Sequence, residues 1–329
     1  MANIKSGRLA SILMAGIGLV ILGTPGLAAA AGGNGLRVTP VRTDITIKPG
    51  QTQVVNVTAT NITTTPANLQ AIINDFTASN DENGQPALLL KSGQFSPSHS
   101  LKRFVKDVPN FILQPGEQKT VPIAIVVPAN AVGGGYYGTV RFAPAGSNGK
   151  DKTVTLAGSV GSLILVRVPG DIKDQMSVAS FDARQSDSTK TLFFSNKAIS
   201  AVVRFQNEGN IQEQPFGKIL LKDRSGKVLG EYEINDNNPR GNVLPDTIRR
   251  FDTKLDKVGS FGVYKLIGNF GYGSNGQLLS ASTTIYVVPA GYIIGFFAAV
   301  AVIVFLIFGL PRLIRAYNER VISQSKRRR

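Results

Sequence analysis

The chain has 329 residues, no cysteine, no tryptophan, a single histidine and a formal net charge of +15. Without cysteine there are no disulfides, no thiolate zinc sites and no lipid attached through a cysteine behind an export signal. Much of the charge sits at the two ends, so the long middle is mildly basic and lacks the clustered cations of a nucleic-acid-binding domain.

Residues 1–31 read as a secretory signal peptide. Lys5 and Arg8 give a positive start, residues 9–22 an apolar run, and Thr24-Pro25-Gly26 a break. The alanines after that break offer a small-residue cleavage site after Ala30 or Ala31.

Residues 32–170 show almost no 3.6-residue period. Short alternating runs separated by turn residues predict a β-sandwich. Val55, Val57 and Ala59 share one face of a strand at 53–60, and Leu69, Ala71 and Ile73 one face of a strand at 69–76. Pro49-Gly50 and Pro115-Gly116 each follow an apolar strand end and precede a polar strand start. Proline sets φ at the second turn position and glycine takes the positive φ at the third, which predicts two type II reversals. Gly133-Gly134-Gly135-Tyr136-Tyr137 is a glycine-rich corner that delivers tyrosine onto a new strand. It predicts a tyrosine corner, with one of the pair in the corner and the other an exposed contact. Residues 163–168 form the closing strand.

Four stretches here, NVTATN at 56–61, ILQPGEQKTVPIAIVVP at 112–128, GGGYYGTVRF at 133–142 and VGSLILVRVPG at 160–170, resemble the N-terminal domain of the WxL-interacting protein family. The resemblance covers residues 36–170, and the second half is similar only in layout. It implies a bacterial cell-surface protein with two immunoglobulin-like domains and a membrane helix. It further implies a first domain of the peptidoglycan-binding type and a second that binds a partner protein. The matching motifs are turns and corners, so the resemblance carries over no binding residue.

Residues 171–288 repeat the pattern. Strands are expected at 202–206, 216–223, 227–234, 248–251 and 277–288, with Arg224-Ser225-Gly226 as a hairpin loop. Phe261-Gly262-Val263-Tyr264 brings a second tyrosine onto a strand after glycine, a second candidate corner. The last strand leads almost directly into an uncharged stretch at 292–310, in which thirteen residues are Ile, Val, Leu or Phe. About 20 such residues cross a hydrocarbon core as a helix. A transmembrane helix is therefore expected at 289–311, closed by Pro311. Residues 312–329, with Arg312, Arg315, Arg320 and Lys326 to Arg329 against Glu319, form a basic tail of the cytoplasmic kind.

Four places in the sequence hold residues that could carry chemistry. His99 stands alone in the loop 96–100 and reads as a solvated loop histidine. Residues 271–276 match G-x-G-x-x-G formally, but a strand follows where a phosphate site needs a helix, so they read as a hairpin turn. The loops 80–84 and 235–238 are rich in oxygen yet lack calcium spacing, and read as turns. Two basic groups, Lys102, Arg103 and Lys106, then Arg249, Arg250, Lys254 and Lys257, read as solvated faces, the second close enough to the bilayer to help seat its domain. No catalytic, cofactor-binding or metal-binding residue is expected, no cofactor is implied, and no particular binding residue stands out.

The sequence thus predicts an all-β chain of two tandem immunoglobulin-like β-sandwich domains, 32–170 and 171–288, followed by one C-terminal transmembrane helix. The expected protein is not an enzyme. It is a single-pass, outward-facing binding or scaffold protein of the bacterial surface, holding a cell-wall polymer such as peptidoglycan or an anionic glycopolymer, or a secreted protein. The alternative is a membrane-tethered, chaperone-like assembly factor that adds a client strand to an open edge, sought first at residues 163–168.

Overall fold

The computed structural model describes residues 35–91, 93–145, 159–186 and 188–327. The expected signal peptide and the last two arginines of the tail lie outside them. The first domain contains β1 (Leu36–Thr39), β2 (Arg42–Thr46), β3 (Thr52–Asn61), β4 (Ala67–Ala78), β5 (Pro86–Leu88), β6 (Phe111–Leu113), β7 (Gln118–Val126), β8 (Gly134–Pro144) and β9 (Val160–Val168). One sheet runs β1-β3-β7 and the facing one β2-β9-β8-β4-β5, with β6 also on β4. The second domain contains β10 (Met176–Gln185), β11 (Ser188–Thr189), β12 (Leu192–Phe193), β13 (Ile199–Asn207), β14 (Phe216–Asp223), β15 (Val228–Ile234), β16 (Ile248–Lys254), β17 (Gly262–Tyr272) and β18 (Gln277–Val287). Its sheets run β11-β10-β13-β16 and β12-β18-β17-β14-β15.

Alternation drives each sandwich together. Val55, Val57 and Ala59 point inward from β3 and meet Val121, Ile123 and Ile125 of β7 within one buried cluster. Each fully buried side chain of this size contributes about 1.5–3 kcal/mol. Both Pro-Gly reversals form as expected. Gly50 and Gly116 sit at φ 78° and 75°, and the amides of Gln51 and Glu117 donate back to the carbonyls of Lys48 and Gln114. The tyrosine corners form too. The Tyr136 hydroxyl donates to the Val132 carbonyl at 2.9 Å and the Tyr264 hydroxyl to the Phe261 carbonyl at 3.0 Å.

Three expectations need correction. Residues 163–168 are not an open edge: β9 pairs with β8 on one side and in parallel with β2 on the other. The chain enters the first domain on one sheet and crosses to the other, so β2 seals the edge that alternation alone left free. Tyr137 is not an exposed contact but a buried residue, 2% exposed, beneath the second domain. Pro311 does not end the helix. A single helical run continues from α1 (Ala290–Val304) through a wider turn (Phe305–Gly309) into α2 (Leu310–Arg327). In that turn the Leu310 amide donates to Phe305, five residues back. The wider spacing makes room for a proline ring that would otherwise meet the carbonyl of Ile307. The span from Ala290 to Asn318 is long and apolar enough to cross a membrane, and none of its most apolar window is buried against the sandwiches.

Candidate binding cleft between the domains

The domains are docked, and the docking brings charged side chains of both together. Its centre is a small apolar cluster of Phe76, Tyr137 and Leu165 from the first domain with Leu244 from the second. Tyr137 reaches it because Gly135, two residues earlier, has no Cβ to strike the phenol oxygen. Its hydroxyl donates to Gln212 Oε1 at 3.0 Å across the seam. Burial pushes the Tyr137 hydroxyl well above its ordinary pKa, so it stays protonated as that donor.

Asn210 ties the linker to both domains. Its side-chain amide donates to the carbonyls of Gly133 and Asp171, its Oδ1 accepts from the Lys173 amide, and its own carbonyl accepts from the Gly135 amide at 2.8 Å. On the other flank, the loop 80–84 is a clasp. Glu82, at φ 60°, accepts two hydrogen bonds from Arg204, at 2.5 and 2.7 Å, and its carbonyl accepts from the Arg250 amide. The Arg204 guanidinium holds the Glu82 carboxyl below the usual range.

Between these fastenings lies a cleft of about 370 Å³ lined by Arg42, Asp44, Arg167, Gln212, Glu213 and Arg240 among others. Arg42 stands at its wall, donating to Asp44 at 2.6 Å and across the seam to the Arg240 carbonyl and Asn242. The Arg240 guanidinium rests on the Phe216 ring, 4.3 Å from its centroid, and remains exposed. The floor holds Glu213, whose Oε2 accepts from the Gly273 amide at 3.0 Å. Burial first, and Asp174 beside it second, raise its carboxyl to about 7. A protonated Glu213 can donate to Asp174, and in that form the cleft's cations outweigh its anions. Arg167 and Arg240, beside the Asp44-paired Arg42, make a half-enclosed site that suits a phosphate or carboxylate, which arginine binds in bidentate fashion.

The residues singled out from sequence fall elsewhere or play other parts. His99 is not a solvated histidine: its Nδ1 is 2.7 Å from the Gly135 carbonyl and its ring lies 5.8 Å from Tyr137, so it supports the seam. Arg249 and Arg250 are not membrane-facing. The Arg249 guanidinium is half-buried at the seam, donating to the Asn242 carbonyl, and burial lowers its pKa. Lys102 and Arg103 lie over the exposed Phe95 ring. Residues 271–276 form the β17–β18 hairpin, and Asn235 closes its own loop through Pro215 and Gly241. Sequence reasoning missed Arg42, Arg167, Arg240 and Glu213. They sit far apart in the chain: the pairing of β2 with β9 brings Arg42 and Arg167 to one sheet edge, and the docking of the domains adds Glu213 and Arg240. Among the described residues no three metal-ligating side chains are grouped as a metal site.

No protein-family model matches the chain, and no curated protein matches it. Similar solved structures include the class 5 fimbriae chaperone CfaA, at 12% identity and a TM-score of 0.36, covering 77% of this chain and 100% of that one. The YadV chaperone is 14% identical with a TM-score of 0.32, over 76% of this chain and 100% of that one. The CupB2 chaperone of Pseudomonas aeruginosa is 12% identical with a TM-score of 0.31, over 74% of this chain and 97% of that one. These are similarities of fold and say nothing of what this chain binds.

Proposed function

We propose that this chain is a membrane-tethered binding protein on the outer face of a bacterial cell, whose interdomain cleft holds an anionic group of a wall polymer or of a secreted protein. The observation that carries the reading is the convergence of Arg42, Arg167 and Arg240 on one cleft between fastened domains. The apolar helix supports the tether, and the basic residues after it support an outward-facing ectodomain. Membership of the WxL-interacting family is part of the same proposal. The reading is of binding: the perturbed acid Glu213 faces Asp174 within hydrogen-bonding reach, closer than the roughly 5 Å or more that a glycosidase keeps between its two carboxyls across a sugar.

The test uses the full chain in detergent micelles, titrated with a phosphate-rich wall glycopolymer and with peptidoglycan fragments. One or the other should bind with an affinity that falls as salt rises, and the paired substitutions R167A and R240A should weaken it at least about tenfold, as loss of charge-assisted bonds requires. Binding that the double variant leaves unchanged removes the cleft from the proposal.

A second reading, strand addition during assembly of a surface structure, is favoured by one observation. From Leu278 to Thr284, β18 pairs only with β17, so the second domain does have an open edge, although not where the sequence suggested. Capture of an incomplete surface subunit, insensitive to R167A and R240A, selects that reading.

A further inference from the structure

The end of the second domain remote from the cleft carries exposed aromatic side chains. Phe194 is 53%, Phe261 61% and Tyr286 46% exposed. Phe194 follows β12, Phe261 precedes β17 and Tyr286 lies at the end of β18, so pairing of these strands gathers all three at one end of the sandwich. That end is also where the helix leaves. Only Val288 and Pro289 separate β18 from α1. The connection is short and pinned: the Tyr286 amide donates to the Thr191 carbonyl, and the Val288 amide to that of Phe193, each at 2.8 Å. The first helical turn touches the sandwich, with the Tyr292 ring 5.5 Å from that of Phe261. The loops at the same end carry exposed Lys190, Lys197, Arg224 and Lys227. The nearby Asp223 carboxylate is occupied with the amides of Ser225 and Lys227.

We propose that this base is a lipid-contact surface: Phe194, Phe261 and Tyr286 enter the headgroup region of the bilayer that the helix crosses, and the surrounding lysines and arginine meet anionic headgroups. The occupant follows from continuity. A helix that enters hydrocarbon at Ile293 and is fastened to the sandwich through Tyr292 and Val288 leaves this face nowhere to stand but on the membrane. Aromatic rings with a cationic rim are the chemistry of such interfaces. The second domain is then seated on the bilayer and holds the cleft at a set height above it. The inference rests on the helix crossing the membrane, part of the proposed function.

Because the chain has no cysteine, one introduced thiol gives one labelled position. S260C beside Phe261 and N275C at the opposite end of the domain each receive a fluorophore. The full chain is placed in nanodiscs of phosphatidylcholine with phosphatidylglycerol, doped with a headgroup-level lipid quencher. The label at 260 should be quenched several times more strongly than that at 275. The excess should shrink when phosphatidylglycerol is omitted and in F194S/F261S. Should that variant misfold, K190Q/K197Q/K227Q replaces it and should abolish the dependence on phosphatidylglycerol. Equal, weak quenching at both positions overturns the inference, as does quenching indifferent to every substitution. Flotation with liposomes keeps the two ideas apart: a chain that fails to float sinks the tether and this surface with it, whereas a floating chain unquenched at 260 sinks the surface alone.

Discussion

Asn61 in the first domain and Asn207 in the second stand at the ends of central strands, β3 and β13, and both are completely buried. Each accepts a hydrogen bond from the amide two residues on, Thr63 or Gly209, and donates to the carbonyl four residues on, Thr65 or Ile211. Each also donates to a more distant carbonyl, Leu113 or Val243. The devices share these three bonds, and Asn61 adds a fourth from the Thr63 hydroxyl, but the loops beyond them differ. The one after Asn61 closes within its own sandwich. The one after Asn207 carries Asn210, Gln212 and Glu213 into the seam. The repeated part is scaffold, and the domains are distinguished by the residues that the scaffold presents.

Alanine at either asparagine separates the two roles. Each substitution removes at least three hydrogen bonds made by a completely buried side chain, although the Thr65 and Val243 carbonyls each keep a second donor, and should cost about 3 kcal/mol by urea unfolding. Only N207A should also free the loop after it. Amide exchange at Gly135, whose N–H donates to the Asn210 carbonyl, reads this directly. It should speed up well beyond the global loss of stability in N207A and follow that loss alone in N61A. Identical behaviour at Gly135 in the two variants would mean that the scaffold does not hold the seam.

The seam's two acids sharpen the contrast through pH. The Glu82 carboxyl is held below its ordinary pKa, so its contribution is present above about pH 4.5 and is lost as pH falls through the lower folded value. Both partners are partly exposed, so that contribution is at most about 1 kcal/mol. Glu213 runs the other way. Folding raises its carboxyl to about 7, so between about 4.5 and 7 the folded state binds more protons than the unfolded one and stability falls as pH rises. Above that window the buried charge costs on the order of 2–3 kcal/mol. E213Q should therefore be more stable than the parent at pH 8 by about that amount and indistinguishable at pH 4. E82Q should lose up to about 1 kcal/mol at pH 8 and a smaller part of that at pH 4. Urea titrations at the two pH values check both, and matching signs for the two variants would refute the assignment.

Most of the fold was legible in the sequence, for reasons these residues make plain. Alternation at 53–60 placed β3, Pro-Gly placed both reversals, and glycine before tyrosine placed both corners. β10 was missed because it changes parity. Met176 and Val178 fall on one phase and Phe181 and Ala183 on the other, with a bulge between Val178 and Ser180 that restores the inward face. The cleft was not legible, since Arg42 and Arg240 are almost 200 residues apart and no local pattern announces that two sandwiches will dock. The clasp at 80–84 read as a turn, which it also is. Only Arg204 on the other domain reveals its second use.

The smallest expected effect compares the two corners. Y136F and Y264F each remove one hydroxyl and leave one backbone carbonyl, and each should cost about 1 kcal/mol. The rings stay, so the contact of the residue 136 ring with Phe104, 4.6 Å between centroids, survives and the loss isolates the hydrogen bond. Stability alone should not tell the variants apart, but position should. The Val132 carbonyl leads into the glycines of the seam, whereas the Phe261 carbonyl belongs to an aromatic residue of the base. Y136F should raise amide exchange at Gly135 and leave residue 261 alone; Y264F should loosen residue 261 and leave the seam protected. Corners that merely stabilise their own strands would leave both sites unmoved, and the contrast between the domains would then end at Asn61 and Asn207.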